Sequence, residues 1–362
     1  MKKFLFILVL IAISLQANAK VLMQPYLQAV TNNSIYLLVE TDSDKPVESF
    51  LEYPDGMRKT IKSIVFEVTD AKPATYVHSI KYTDLKAATK YGYSLKDGEV
   101  AYKGSFKTAP NVNTKGKFKF TSYGDSRSAP KLFAKISKGM ESENPDFSVY
   151  LGDLSFDGSY KLWKDEFFIS EQLSLAKNVP FFNAVGNHEG WKTNTKAFTE
   201  SPISKGNQEY YSFDYGDIHF LILSTQNKIG EDSPQWKFAE DDLKNSKAKW
   251  KFVAFHIPAY GAGAHGESKG MIKMSEKLFE KNSVDVVLTG HSHFYQHNKV
   301  NKIHHFILGG GGSPLYAPKE APYVIKSAKE YHYAIFDCTS DKIEMTVKNI
   351  DGKEIDKIVF EK

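Results

Sequence analysis

The sequence predicts an all-β sandwich over residues 20–109, joined by a linker at 110–116 to an α/β layered domain over residues 117–362. Three observations carry this. Short β-rich segments, each closed by a turn signal and none with a helical period, fill the first region. Strands alternate with segments of helical spacing in the second. Between them, Thr108-Ala109-Pro110-Asn111-Val112-Asn113-Thr114-Lys115-Gly116 is polar and turn-rich.

Ahead of the sandwich stand Lys2 and Lys3, an apolar run from Phe4 to Leu15, and Ala17-Asn18-Ala19. A basic start, a short apolar stretch and a small-residue site describe a secretory signal peptide, so residues 1–19 are expected to be removed and the rest exported, periplasmic or secreted. The run is shorter than the ~20 residues a spanning helix needs, and no membrane span is expected elsewhere. No cysteine follows the run, which gives a lipid anchor no support. Losing the two lysines lowers the formal charge of +4 by two, and the remaining lysines are dispersed. A near-neutral chain of this kind gives no reason to expect nucleic-acid binding. Cys338 is the only cysteine, so no intramolecular disulfide can form. Stability must come from a core, for which 25 Phe and 20 Tyr supply large apolar side chains.

In the first region, residues 34–40 are β-rich and 47–53 alternate, with turns at Asp42-Ser43-Asp44-Lys45-Pro46 and Pro54-Asp55-Gly56. Residues 76–82, 90–95 and 100–103 continue the series. This part holds no cluster of metal-ligating side chains, which suits a scaffold or recognition module. In the second region, 118–123 is an apolar strand, and Leu132, Ile136 and Met140 then recur at helical spacing. A strand at 147–151 precedes a helix-like stretch through Trp163, Phe167 and Leu173. Further strands fit 181–185, 210–215, 218–223, 252–255 and 284–288, and helices fit 235–247 and 271–281. From Tyr331 the pattern returns to strands, with an Asp351-Gly352 hairpin signal.

Five motifs share one placement, in which an apolar strand ends and polar residues follow at once. They are Tyr123-Gly124-Asp125-Ser126-Arg127, Leu151-Gly152-Asp153, Val185-Gly186-Asn187-His188-Glu189, Phe255-His256-Ile257-Pro258 and Thr289-Gly290-His291-Ser292-His293. Ligands bind at the carboxyl ends of strands in layered α/β domains. Two carboxylates, an amide oxygen and three imidazoles converging there suit a mixed oxygen and nitrogen site for Zn, Mn or Fe. Singly each motif is weak, since Gly-Asp is a common turn. Five in order are not. Other residues read more plainly as structure. His219 lies inside a strand, where a buried polar group finds a local partner. His304 and His305 occupy adjacent strand positions, so at most one faces inward. Gly309 to Gly312 lack the Lys-Ser/Thr of a P-loop and read as a turn closing under the site. Glu189 either holds its neighbour histidine or is a solvated acid, and Trp191, Tyr260 and Tyr295 either line a cleft or pack.

With these motifs the chain resembles the calcineurin-like metallophosphoesterases, and within them the purple acid phosphatase branch. Two further segments outside the metal motifs carry the resemblance: Gln24-Pro25-Tyr26-Leu27-Gln28 and Tyr210-Tyr211-Ser212-Phe213-Asp214-Tyr215-Gly216-Asp217-Ile218-His219-Phe220. The resemblance implies a fibronectin type III-like N-terminal sandwich and a catalytic domain with a β-sandwich core flanked by helices. It also implies two divalent or trivalent metal ions, with Asp153 bridging them. Asp125 and His293 would complete the first metal's set, and Asn187, His256 and His291 the second's. A hydroxide held between the metals would attack phosphorus in line. His188 or His265 would serve as general acid, with His188 favoured.

Two residues depart from the family pattern. Purple enzymes carry a tyrosine ligand three residues after the bridging aspartate, where this chain has Phe156. Many relatives place a histidine two residues after the first aspartate, where this chain has Arg127. Arginine stays protonated and grips phosphate instead of a metal. Asp157 is then the nearby candidate to complete the first site, the alternative being water. The expectation is an exported metal-dependent phosphatase acting on small-molecule phosphate monoesters. A phosphodiesterase or nucleotide hydrolase with the same metals is the alternative enzyme, and a catalytically weak binding protein is the alternative of another class.

Overall fold

The computed structural model describes residues 19–362 apart from 69, 98–99 and 203–206. The expected signal peptide lies almost entirely outside the described residues. Two facing sheets built largely from residues 118–361 place the candidate residues. In the first, the strands Phe118–Tyr123, Phe147–Tyr150 and Phe181–Asn183 run parallel side by side. His332–Cys338 adds antiparallel to Phe118–Tyr123, followed outward by Lys342–Asn349 and Glu354–Glu361. In the second, Ile218–Ile222, Trp250–Ala254, Val286–Thr289 and Ile303–Leu308 run parallel, bounded by antiparallel Tyr211–Tyr215 on one side and Tyr295–Val300 with Val324–Ala328 on the other.

The faces between these sheets are aromatic. Phe120 stacks on Phe336 at 4.3 Å and meets Phe220 edge-on at 5.3 Å, and Phe182 stacks on Phe213 at 3.6 Å. These rings are fully buried or nearly so, and each such side chain contributes a few kcal/mol through burial. The core therefore holds the two sets of parallel strands in fixed register, and their carboxyl ends fall on one edge. The helix Pro130–Ser142 buries Ile136 and Met140 as read from the sequence, with Phe133 buried in place of Leu132, which is only half-buried.

The N-terminal strands are joined to this core by more than a linker. Gln28 pairs with Phe181, so the first sheet runs on through Val21–Gln28, Ile35–Thr41, Thr75–Tyr82 and Ile64–Val68 as one ten-stranded sheet among the described residues. A four-stranded sheet of Arg58–Lys62, Glu48–Glu52, Lys90–Asp97 and Val100–Lys107 covers it. The Gln28 amide donates to the Phe198 carbonyl at 2.8 Å and accepts from the Glu200 amide at 2.6 Å. The linker is pinned as well, with the Asn113 amide donating to the Asp217 carboxylate at 2.6 Å. Arg58–Lys62 and Ile64–Val68 were not expected as strands. Most of their side chains are exposed, so no buried alternation marks them.

Two helices are shorter than their apolar pattern suggests because each gives way to one turn of wider hydrogen bonding. Lys269–Met274 continues into such a turn at Ser275–Phe279. Tyr160–Leu162 continues into another at Trp163–Phe167, closed by the Phe168 amide on the Trp163 carbonyl at 2.9 Å. Wide turns of this sort are frequent at functional sites. The second one carries Glu166.

Candidate metal centre

All five motif loops leave the same edge of the paired sheets, and three of the candidate ligands adopt left-handed backbone there. Asp125, Asp153 and His291 have φ of 63°, 55° and 67°. Such conformations are uncommon outside glycine and cluster at functional sites, where surrounding contacts hold them. Gly186 is required by close approach, because a Cβ there would strike the backbone nitrogen and carboxylate of Asp153.

Asp125, Asp153 and His256 are buried and bring one ligand atom each within 4.8 Å of one another. His256 Nδ1 lies 2.6 Å from the Leu151 carbonyl. A carbonyl only accepts, so Nδ1 carries a proton and Nε2 faces the site. Nε2 is 3.2 Å from Asp153 Oδ1 and 3.1 Å from Asn187 Oδ1. His291 Nδ1 stands 3.0 Å from the same Asn187 oxygen. Two oxygens that cannot donate and two imidazole nitrogens thus converge, which is what a cation requires. In the metal-free chain a proton does this work. Burial disfavours charge on His256, but the Asp153 carboxylate overrides it and holds the imidazole up at about 10. Burial likewise opposes the Asp153 charge, and His256 with the His188 amide holds that carboxyl far below its usual range. His291 is pushed down to about 3 by burial and by the neighbouring His256, leaving it neutral.

On the other side of Asp153, His293 Nδ1 lies 2.8 Å from the Pro314 carbonyl, so in the neutral ring the lone pair is on Nε2. That nitrogen is 3.4 Å from Asp125 Oδ1, a buried oxygen with no hydrogen-bond partner. Two acceptors facing each other fit a cation here as well. Arg127 is already there. Its Nε donates to Asp153 Oδ2 at 3.1 Å, and Nη2 is 3.5 Å from His293 Nε2. The guanidinium packs over the Phe156 ring at 5.6 Å. Asp157, the candidate to complete this side, is exposed, and its carboxylate caps its own turn through the Ser159 amide at 2.8 Å. It does not join the cluster.

His188 and His265 both reach the site from its rim. His188 Nδ1 donates to the Phe156 carbonyl at 2.7 Å, which leaves Nε2 facing Asp153 Oδ2 at 3.8 Å. The exposed His265 ring sits 4.8 Å from His291 and 4.9 Å from Tyr316. The Gly309 to Gly312 loop passes behind the cluster, where the Gly311 amide donates to the Gly124 carbonyl and the Ser313 amide to the Asp125 carbonyl, both at 2.9 Å. Tyr295 is buried against Asp356, and Tyr260 packs on His305 and Tyr323, so neither lines the cleft. His219 is held between Asp214 and Asp242 at 2.7 and 2.6 Å, away from the metal motifs.

Two carboxylates that brace the loops were not identified as such from the sequence. Glu189 is neither solvated nor bonded to His188. It is buried, and its Oε1 accepts the amides of Gly186 at 2.8 Å and Asp153 at 3.1 Å. Burial, then the Asp153 charge, pushes its carboxyl up to about 8. Glu166, within its wide turn, accepts the Ser128 amide at 3.0 Å and the Phe156 amide at 2.7 Å. Apart from the Glu189 bond to Gly186, three residues away, these bonds leave no local signal, because they reach loops 10 to 38 residues distant in sequence.

Residues 121–295 match the family model described as calcineurin-like phosphoesterase. Purple acid phosphatase 21 of Arabidopsis thaliana is 30% identical over 284 residues, which cover 72% of this chain and 62% of that protein. Purple acid phosphatase 22 of the same plant is 28% identical over 306 residues, covering 75% of this chain and 67% of the relative. The chain therefore spans about two thirds of the length of these curated relatives or less. A purple acid phosphatase from yellow lupin seeds shares the fold, with a TM-score of 0.79 over 93% of this chain and 74% of that one, at 20% identity. Fold, ligand cluster and relatives agree: residues 121–295 match the calcineurin-like phosphoesterase model, and the chain is similar in sequence and fold to the purple acid phosphatases.

Proposed function

We propose that this chain is an exported, metal-dependent phosphatase that hydrolyses small-molecule phosphate monoesters. The observation that carries the reading is the convergence of His256 Nε2 with Asp153 Oδ1 and Asn187 Oδ1 at 3.2 and 3.1 Å, with Nδ1 committed elsewhere. Asp153, Asn187, His256 and His291 hold one cation in this reading, and Asp125, Asp153 and His293 are the residues for a second. Bound cations of the Zn, Mn or Fe class supply the Lewis acidity that activates water and neutralises phosphoryl oxygens. The chain's own residues do the rest. His188, with Nδ1 fixed on the Phe156 carbonyl, presents Nε2 to exchange a proton with the leaving oxygen. His265 is the alternative donor on the opposite rim. Arg127 places a permanent positive charge beside the phosphate position. Residues 1–19 serve as the export signal, and residues 20–109 as a fibronectin-like scaffold.

A second reading, a diesterase or nucleotide hydrolase, draws support from Phe156, which is 48% exposed and lies 5.1 Å from the His188 ring. An aromatic face beside the proton donor suits a larger second substituent. The test is a panel of aryl and alkyl mono- and diesters with Zn, Mn and Fe. Turnover is expected with monoesters first, and loss of turnover in Asp153→Ala and His291→Ala. No turnover of any ester with any of these metals would leave a binding protein as the better description.

A further inference from the structure

We infer that Arg127 is a built-in occupant of the first metal position, so that the chain binds one metal ion tightly and a second only by displacing the guanidinium. The inference rests on the metal-binding part of the proposed function and goes beyond it by assigning the two positions unequal occupancy. Asp153 Oδ2 and His293 Nε2 are the atoms an ion on that side would share with Asp125. Both already face Arg127, at 3.1 and 3.5 Å. The tautomer makes the second contact meaningful. With Nδ1 donating to the Pro314 carbonyl, the neutral His293 ring presents its lone pair at Nε2, toward an N–H of the guanidinium where a metal would otherwise sit.

The arginine is held in place from several sides. It is 8% exposed, its Nη1 reaches Ser128 Oγ at 3.4 Å, and its carbonyl accepts from Ser313 Oγ at 3.1 Å. Glu166 ties down both its flanks, through the Ser128 amide after it and the amide of Phe156, whose ring lies under the guanidinium. A guanidinium cannot shed its proton to make room, and a divalent ion a few ångströms away would be repelled by it. Asp125 Oδ1 is the one acceptor on this side that the guanidinium leaves unsatisfied. That atom gives a second ion its residual hold. The other position has no such competitor, since Asn187, His256 and His291 face no arginine or lysine among the described contacts.

The experiment is a titration of metal-stripped full chain with Mn(II), read by calorimetry and by electron paramagnetic resonance. Two Mn(II) ions sharing a carboxylate sit about 3.5–4 Å apart and give an exchange-coupled spectrum. Wild type is expected to bind one tight equivalent with an uncoupled signal, and a second equivalent at least about 10-fold more weakly. Arg127→Gln and Arg127→His should each tighten the second equivalent about 10-fold or more and bring up the coupled spectrum at two equivalents. Arg127→Lys, which keeps the charge without the planar fork, should fall between. Two tight coupled ions in wild type, or an unchanged second affinity in all three variants, overturns the inference. If any one variant is recovered unfolded, wild type and the remaining variants decide the question. One tight ion without any ester turnover would sink the phosphatase reading and leave this inference standing; the reverse outcome would do the opposite.

Discussion

Asp153 stands between two sets of residues that look equivalent by ligand type and differ in what surrounds them. On the side of Asn187, His256 and His291, oxygens that cannot donate meet imidazole nitrogens, and the proton on His256 is the charge that balances Asp153 there in the metal-free chain. On the side of Asp125 and His293, a guanidinium reaches two of the three acceptors. The difference teaches that a ligand set does not define a metal site until its competitors are counted. A proton leaves at a cost set by pH, whereas an arginine must be moved bodily.

The largest expected effect separates the two sides directly. His256→Ala should remove the tight metal equivalent and lower kcat/KM on an aryl phosphate by about 10³-fold, because activation of water goes with the ion. It should also destabilise the metal-free protein by about 3 kcal/mol, leaving the Asp153 charge buried without its partner. His293→Ala should keep the tight equivalent and lose only about 10-fold in rate. Equal losses, by metal analysis and kinetics, would erase the contrast.

A smaller effect is expected from the two bracing carboxylates. Glu189→Ala strands the amides of Gly186 and Asp153 and should weaken the tight ion by about 10- to 100-fold. Glu166→Ala frees the Ser128 and Phe156 amides and should leave that affinity unchanged, while loosening Arg127 and so strengthening the second ion. Calorimetric titration of both variants checks this. If Glu166→Ala weakens the tight ion as much as Glu189→Ala does, the two sides are not braced separately.

The mildest perturbation is pH. His256 is raised to about 10 from an unfolded value of 6.5, so its contribution to metal-free stability is complete below 6.5 and is lost as pH rises through about 10. Glu189, raised to about 8 from 4.5, acts in the same direction over a lower window. Metal-free protein should therefore melt at lower temperature as pH climbs from 6.5 to 10, and metal-loaded protein should do so much less. Binding of the tight ion at pH 7 should release about one proton, and its affinity should gain about tenfold per pH unit. Calorimetry in buffers of different ionisation enthalpy measures that proton. No proton release would mean that His256 is already neutral.

The candidate ligands were legible because each follows a local rule. Apolar strands end, in four of the five motifs a glycine allows the turn, and a side chain able to bind metal comes next, so the candidates Asp125, Asp153, Asn187, His256, His291 and His293 can be picked out within a few residues. The helix carrying Ile136 and Met140 and the structural role of His219 were legible for the same reason. The exposed strands Arg58–Lys62 and Ile64–Val68 were not, because they bury too little to leave an alternating pattern.

What the sequence by itself determined is the inventory: the strand ends, the ligand types, and the two substitutions, Arg127 and Phe156, that break the family pattern. Tertiary structure alone decided the rest. It joined Gln28 to Phe181, so that the N-terminal strands and the sheet carrying Asp125 and Asp153 share one ladder. It turned Glu189 and Glu166 inward onto loop amides, and it took Asp157 out of the cluster. It also laid the Arg127 guanidinium against Asp153 and His293. The physical reason is range. Backbone propensity and burial period act over a few residues, whereas hydrogen bonds and charge pairs form between whatever side chains folding brings within about 3 Å, however far apart they lie in the chain.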